Sequence, residues 1–162
     1  MAAQAPWWRP GSASGYHVLN YGRLIGELVH HLTGMSLREF VRGSIAKPLG
    51  VDFQIGLRDG DVHRVADVLT PALDFDPSTL DGDTVAYKTF TGPSFSAEAA
   101  NSPSWRAAEP GAANGDGNAA SLGDILAPIA RSGASGNGRL LKPATIEVIF
   151  DEQTNARPPS VT

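Results

Sequence analysis

Apolar residues recur at helical spacing from Val18 to Leu32, and this one pattern constrains the chain more than any other. Val18, Tyr21, Leu24, Ile25, Leu28, Val29 and Leu32 fall on one side of a helix, with Asn20, Arg23, Glu27 and His31 on the other. Gly34 supplies a left-handed stop. Ser36 and Glu39 then make an S-x-x-E capping box at the head of a second helix. Its apolar stripe is Leu37, Phe40, Val41 and Ile45, and Pro48 ends it. Two amphipathic helices joined by about three residues are expected to pack as a helical hairpin.

Beyond Pro48 the signals are weaker. Val51, Phe53, Ile55 and Leu57 alternate, which predicts a short strand or extended segment. Arg64 to Leu69 reads as another short strand or a turn of helix. The chain has eighteen glycines and twelve prolines, half of each between Thr70 and Gly138, and Thr70 to Gly117 is expected to be mostly loop, with aromatics such as Tyr87, Phe90 and Trp105 pinning it down. So much irregular chain in one domain points to support from elsewhere. Ser121 and Asp124 mark a further helix start, with Leu122, Ile125, Leu126 and Ile129 on one face. Ser132 to Gly138 reads as a turn, and Pro143 opens a short helix through Phe150. Thr154 to Thr162 is polar and expected to fray.

Composition removes several classes of function. The chain has 162 residues, 41% hydrophobic, enough to build a core. Charged residues make up 19% and the formal net charge is −4, so no basic field points to nucleic acid or to an acidic membrane. Without cysteine there are no disulfides, thiolate zinc sites or cysteine nucleophiles. Met1 to Pro10 lacks the basic and apolar regions of a secretory signal, and no apolar run approaches the roughly 20 residues of a membrane helix. The expectation is a soluble, cytoplasmic chain.

Several motifs imitate chemistry. Ser44-Ile45-Ala46-Lys47 matches S-x-x-K, in which a lysine one helical turn from a serine deprotonates its hydroxyl. Here Lys47 directly precedes Pro48, which pushes it out of helical geometry. Ser44 falls on the apolar side with Leu37 and Val41, where it would point inward. Both features favour coincidence. Gly115-x-Gly117-x-x-Ala120 lacks the buried strand a dinucleotide fingerprint requires. Asn114, Asp116 and Asn118 resemble the start of a calcium loop, but Ile125 stands where a glutamate is needed. Glu27, His30 and His31 are read as a solvated helix face rather than metal ligands. No G-x-S-x-G elbow is present. Tyr16, at a helix entrance just after Trp8-Arg9-Pro10-Gly11, either anchors the helix or presents its phenol to a cleft.

An ordered set of short motifs changes those odds. Trp8-Arg9-Pro10-Gly11, Gly15-Tyr16-His17, Tyr21-Gly22, Gly26-Glu27-Leu28, Thr33-Gly34, Ser36-Leu37, Glu39-Phe40, Pro48-Leu49-Gly50 and Phe53-Gln54-Ile55-Gly56-Leu57 follow one another. Asn101, Trp105, Pro110, Asn114-Gly115, Asn118-Ala119, Ser121-Leu122, Gly138-Arg139-Leu140-Leu141 and Glu152-Gln153 continue the series. Together they resemble an internal piece of the serine β-lactamase superfamily, in its esterase-like branch of family VIII carboxylesterases and penicillin-binding-protein-like relatives.

The resemblance implies an α-rich α+β fold: the helical region of the β-lactamase-like fold with long irregular loops, most of the antiparallel sheet missing. Residues 1–153 would be a partial serine-hydrolase domain and 154–162 a disordered tail. Tyr16 matches the family's catalytic tyrosine, which relays a proton between the serine and the leaving group of an acyl-enzyme cycle. His17 and Val18 fall at substrate-binding positions. Val18 replaces the amide of the Y-x-N motif, which favours ester hydrolysis over β-lactam breakdown. The family's S-x-x-K should lie well upstream of the tyrosine and its K-T-G-like strand beyond Glu152-Gln153; neither is present there. Lys88-Thr89-Phe90 is not a substitute. The chain is therefore expected to be truncated and inactive alone, with no cofactor and no metal. Its partners would be a small acyl ester once completed, or itself, or the missing segments, but neither nucleic acid nor membrane. The alternative is a non-catalytic interaction protein derived from the same fold.

Overall fold

The computed structural model describes residues 3, 5–15, 19–70, 76–91, 96–136 and 138–152. The expected tail therefore lies outside the described residues. Two compact units are formed, one from Met1–Tyr16, Val68–Ala100 and Glu152–Thr162, the other from His17–Asp67 and Asn101–Asp151.

The second unit opens with helix α1 (Asn20–Thr33), which Gly34 closes at φ 71°, its N–H bonded to the His30 carbonyl. Helix α2 (Leu37–Val41) begins at the expected capping box: the Ser36 hydroxyl accepts from the Glu39 N–H, and the Glu39 carboxylate accepts from the Ser36 N–H. The hairpin forms through one edge of the face that periodicity selects: Val29 packs on the core and Ile25 is half-buried. Gly22 is the buried residue of α1, and a methyl there would overlap the backbone of Gly111 and Ala112. Gly26 faces Leu37 of α2. Tyr21, Leu24, Leu28 and Leu32 are exposed. Hydrophobicity locates an apolar stripe; it does not say that the stripe is covered. Close approach of α1 to its neighbours needs small residues, and these lie roughly 130° around the helix from the leucines.

The helix continues past Val41 as a widened π turn over Arg42–Ala46, then as α3 (Lys47–Leu49), until Gly50 turns it off at φ 67°. The widening has a local cause. In a regular helix the Pro48 ring would strike the carbonyl four residues back and waste its hydrogen bond. One wide hydrogen bond, Lys47 N–H to Arg42 O, carries the helix to the proline, whereas Val51 N–H to Ala46 O belongs to the left-handed Gly50 cap.

Strand β1 (Phe53–Ile55) pairs antiparallel with β2 (Gly115–Gly117), Gln54 opposite Asp116. It is shorter than the alternation predicts because Gly56 bends the chain at φ 67°, with no room for a side chain 2.5 Å from the Ala108 carbonyl. Asp59–Arg64 forms 3₁₀ turns, so the helical turn precedes the segment expected to carry it. Leu37, Val41 and Ile55 form the core cluster, with Val29, Ile45 and Phe53 packed on it.

Short helices replace part of the expected long loop: α4 (Val85–Phe90) in the first unit, α5 (Ala97–Asn101), and α6 (Pro103–Ala107) in the second. Thr84 caps α4 and Ser102 caps α6, accepting from the Tyr87 and Trp105 amides. Helices this short hold too few apolar residues to show a period. Helix α7 (Ala119–Ala130) starts two residues earlier than Ser121, because Asn118 is its cap and Ser121 supplies the bonded N–H. Its Pro128 is fully buried. A two-residue hairpin, β3 (Ala134–Ser135) with β4 (Gly138–Arg139), leads to α8 (Pro143–Phe150). Among the described residues the sheets are two-stranded and the chain is α-rich.

Candidate functional site

Tyr16, His17 and Val18 lie outside the described residues; the chain leading into them is described. Gly11 adopts φ 81° after Pro10, and both the N–H and the hydroxyl of Ser12 donate to the Arg9 carbonyl, at 3.1 and 2.7 Å. The Trp8 indole N–H donates to the Ala13 carbonyl at 3.0 Å, laying the ring over Gly15. A side chain at Gly15 would sit 2.6 Å from the ring edge. The W-x-P-G sequence is thus a tryptophan-locked turn that fixes the backbone directly before Tyr16.

Ser44 and Lys47 occupy the wide turn, and both reasons expected to disqualify them fail. Ser44 is exposed, not packed inward, and Lys47 keeps helical angles of φ −65° and ψ −46° despite the following proline. What separates them is the π turn itself. A wide turn changes the spacing of positions three apart from that of the regular helix on which the motif depends. No hydrogen bond joins them. This S-x-x-K does not make a serine–lysine pair.

Of the polar groups that the fold does bring together, motif reading singles out Asn101 and Asn114 but not Arg38, Arg106 or Glu109. Arg38 donates from its guanidinium to the Ile55 and Ala107 carbonyls. Its own N–H bonds the Glu109 carboxylate at 2.9 Å, and its Nε sits 3.6 Å from the same group. Asn114 is buried and shares its amide N–H groups among the Trp105, Arg106 and Ala108 carbonyls, at 2.7, 3.2 and 2.7 Å. The buried Arg106 reaches Asp67 at 2.6 Å and Asn101 at 3.2 Å. These clamps fasten α2, β1 and residues 105–114 together, and their partners satisfy them. Their role is structural. No local signal finds them, because Arg38 and Glu109 are 71 residues apart.

Asp116 differs. Its Oδ2 is buried without a hydrogen-bond partner, and burial raises the carboxyl above its ordinary range against the opposing pull of Arg106. Nearby, Asp61 accepts from Gln54 and Arg64, and the Arg64 hydrogen bond chiefly holds its carboxyl low. No hydrogen bond joins that oxygen to a described serine or lysine, so it forms no nucleophile–base pair with one. Glu27, His30 and His31 lie exposed on α1, the two imidazoles 6.4 Å apart and His30 Nδ1 near the Met35 carbonyl. Among the described residues no group of three potential ligands could hold a metal ion.

The beta-lactamase family model matches residues 1–161. The chain belongs to that family. Its fold is similar to a penicillin-binding protein homolog from Caulobacter crescentus, with 32% identity and TM-score 0.76 over 94% of this chain and 40% of that one. A family VIII carboxylesterase is also 32% identical, TM-score 0.76, over 90% of this chain and 38% of the other. EstA from Arthrobacter nitroguajacolicus Rue61a is 28% identical, TM-score 0.74, over 94% and 41%. No curated protein sequence matches. The chain thus spans about two fifths of the solved structures it resembles, as an α-rich part of a beta-lactamase-like fold. No described helix is long and apolar enough to cross a membrane.

Proposed function

We propose that this chain is the helical portion of a serine hydrolase that cleaves small carboxylic esters through an acyl-enzyme. The observation that carries the reading is the 32% identity to a family VIII carboxylesterase. It is supported by a locked turn over Trp8 to Gly15, which precedes Tyr16 in the family's order of motifs. In this reading the serine attacks the ester carbonyl and Tyr16 takes its proton. Tyr16 passes that proton to the departing alcohol, then serves the water that releases the acid. His17 and Val18 border the substrate, and an apolar Val18 suits an ester better than a β-lactam amide side chain. In this reading the nucleophile comes from outside the described part of this chain, since no hydrogen bond joins Ser44 to Lys47. By itself the chain is inactive.

Intact-mass spectrometry after incubation with a fluorophosphonate probe, beside p-nitrophenyl butyrate turnover, tests this. No adduct and no turnover are expected. An adduct abolished by Ser44→Ala would place a working nucleophile on the π turn and overturn the reading. The alternative of a self-standing interaction protein calls for covered apolar surfaces, and the exposed leucines of α1 weigh against it.

A further inference from the structure

The turn that closes α7 gathers three cations. Ser132 and Gly133 follow one another at φ 50° and 89°, and Ser132 is the one non-glycine residue with positive φ among those described. This double left-handed turn sends the chain back on itself, so that the Leu140 and Leu141 N–H groups both donate to the Gly133 carbonyl, at 2.9 and 3.2 Å. Gly133 is buried at the crossing. A methyl there would overlap the Leu141 carbonyl at 1.9 Å and lie 3.3 Å from the Arg139 guanidinium. The same guanidinium donates to the Ser132 carbonyl. Arg131, Arg139 and Lys142 therefore surround one fixed turn, and all three are exposed. Among the described residues no carboxylate pairs with any of them, although Arg38, Arg64 and Arg106 in the same unit each have one.

We propose that Arg131, Ser132, Arg139 and Lys142 form a binding site for a phosphate group, carried by a soluble ester or by a lipid headgroup. The site does not depend on the esterase reading. On a chain of net charge −4, the stretch between Asp124 and Glu147 holds these three cations and no acidic residue, a local island of positive charge. Helix ends do not account for it. The carbonyl end of α7 favours a cation beside Arg131, but Lys142 is the N-cap of α8, where the helix dipole repels one. The strained Ser132 is exposed, and its hydroxyl has no hydrogen-bond partner among the described residues. A phosphate dianion suits this set better than a carboxylate, having a second charge and a third oxygen to share among the cations. Arg139 keeps N–H groups not spent on the Ser132 carbonyl, and its planar fork matches a pair of phosphate oxygens.

The test follows backbone amide signals of the whole chain by NMR while potassium phosphate replaces potassium chloride at constant ionic strength. Shifts confined to the turn and the start of α8, saturating at roughly millimolar phosphate, are expected. Arg131→Gln should weaken binding at least threefold at an unchanged thermal midpoint, since that side chain makes no described hydrogen bond. Arg139→Lys keeps the charge but loses the fork, and should weaken binding as much. Ser132→Gly should raise the thermal midpoint by relieving the left-handed serine, yet weaken binding. Arg42→Gln with Lys47→Gln, which removes two exposed cations from the π turn, should leave binding unchanged. Co-sedimentation with phosphatidylcholine vesicles containing phosphatidic acid, lost in Arg131→Gln, would assign the phosphate to a headgroup. Saturable phosphate binding without it would assign a soluble ester. Shifts that chloride produces as well as phosphate, or binding that survives both arginine variants, would overturn the site.

Discussion

At the scale of single residues, the second unit is fastened by polar groups with opposite energetic signs. Asn114 donates to three carbonyls that face one another inside the 105–108 turn. The Arg106 and Trp105 oxygens also accept from the Leu57 and Ala108 amides, so the Ala108 oxygen depends most on Asn114. Asn114→Ala should therefore cost about 2 kcal/mol, read as a lower urea midpoint at unchanged slope. Asp116 works the other way. Its folded-state carboxyl is raised, so the folded chain holds its proton more tightly than the unfolded chain. Below the unfolded value near 3.8 both states are protonated and the residue is neutral in effect. As pH rises through the raised value, burying the charge lowers stability, and the penalty is complete at neutral pH. Asp116→Asn should accordingly raise the urea midpoint at pH 7, by about 1 kcal/mol at most because the residue is only partly shielded. It should change little at pH 3. An equal gain at both pH values would show that charge is not the cause.

At the scale of elements, glycine decides how α1 packs, and the test is to compare glycines that meet different surroundings. Gly22→Ala gains helix propensity but drives a methyl into the Ala112 backbone, for a net loss of about 2 kcal/mol. Gly123, exposed within α7 with nothing near its missing side chain, should gain about 0.5–1 kcal/mol as alanine. Thermal unfolding of the two variants should move in opposite directions. The same element shows what was legible in the sequence. The capping box at Ser36 and Glu39, the stop at Gly34 and the Pro143 start are local chemistry, and each forms where the residues require it. The glycine flank of α1 was not legible, since it depends on Gly111 and Ala112, far along the chain. The continuation through Lys47 was missed because a proline stop assumes a regular helix, and the π turn relaxes that assumption. Of the candidate site, Trp8 and Gly11 could be read as a turn, whereas the clamps at Arg38, Asn114 and Arg106 join segments with no common pattern.

At the scale of the whole molecule, the distribution of apolar side chains is the inverse of a self-sufficient domain. The buried hydrophobics among the described residues are Leu37, Val41, Ala46, Ile55, Leu57, Ala86, Ala100 and Ile146, three of them only alanines. Larger side chains, Leu24, Leu28, Leu32, Leu126 and Phe150 among them, are exposed. Each leucine would contribute about 1.5–3 kcal/mol if fully buried, a large share of the 5–15 kcal/mol that holds an ordinary domain together. The chain on its own is thus expected to unfold with a shallow urea dependence, about 1 kcal/mol/M, at the low end for small proteins. It should bind the dye ANS before unfolding, since the stripe on α1 is open to it. Leu28→Asp and Leu32→Asp should weaken the dye signal while moving stability by no more than about 0.5 kcal/mol, because neither side chain supports the core. Leu37→Ala, in that core, should cost about 2–4 kcal/mol and strengthen the signal. If the aspartates destabilised the chain as much as Leu37→Ala does, the leucines would be internal supports and no partner would be needed to cover them. The expected contrast would show that the α1 stripe carries no part of the stability of the Leu37 core.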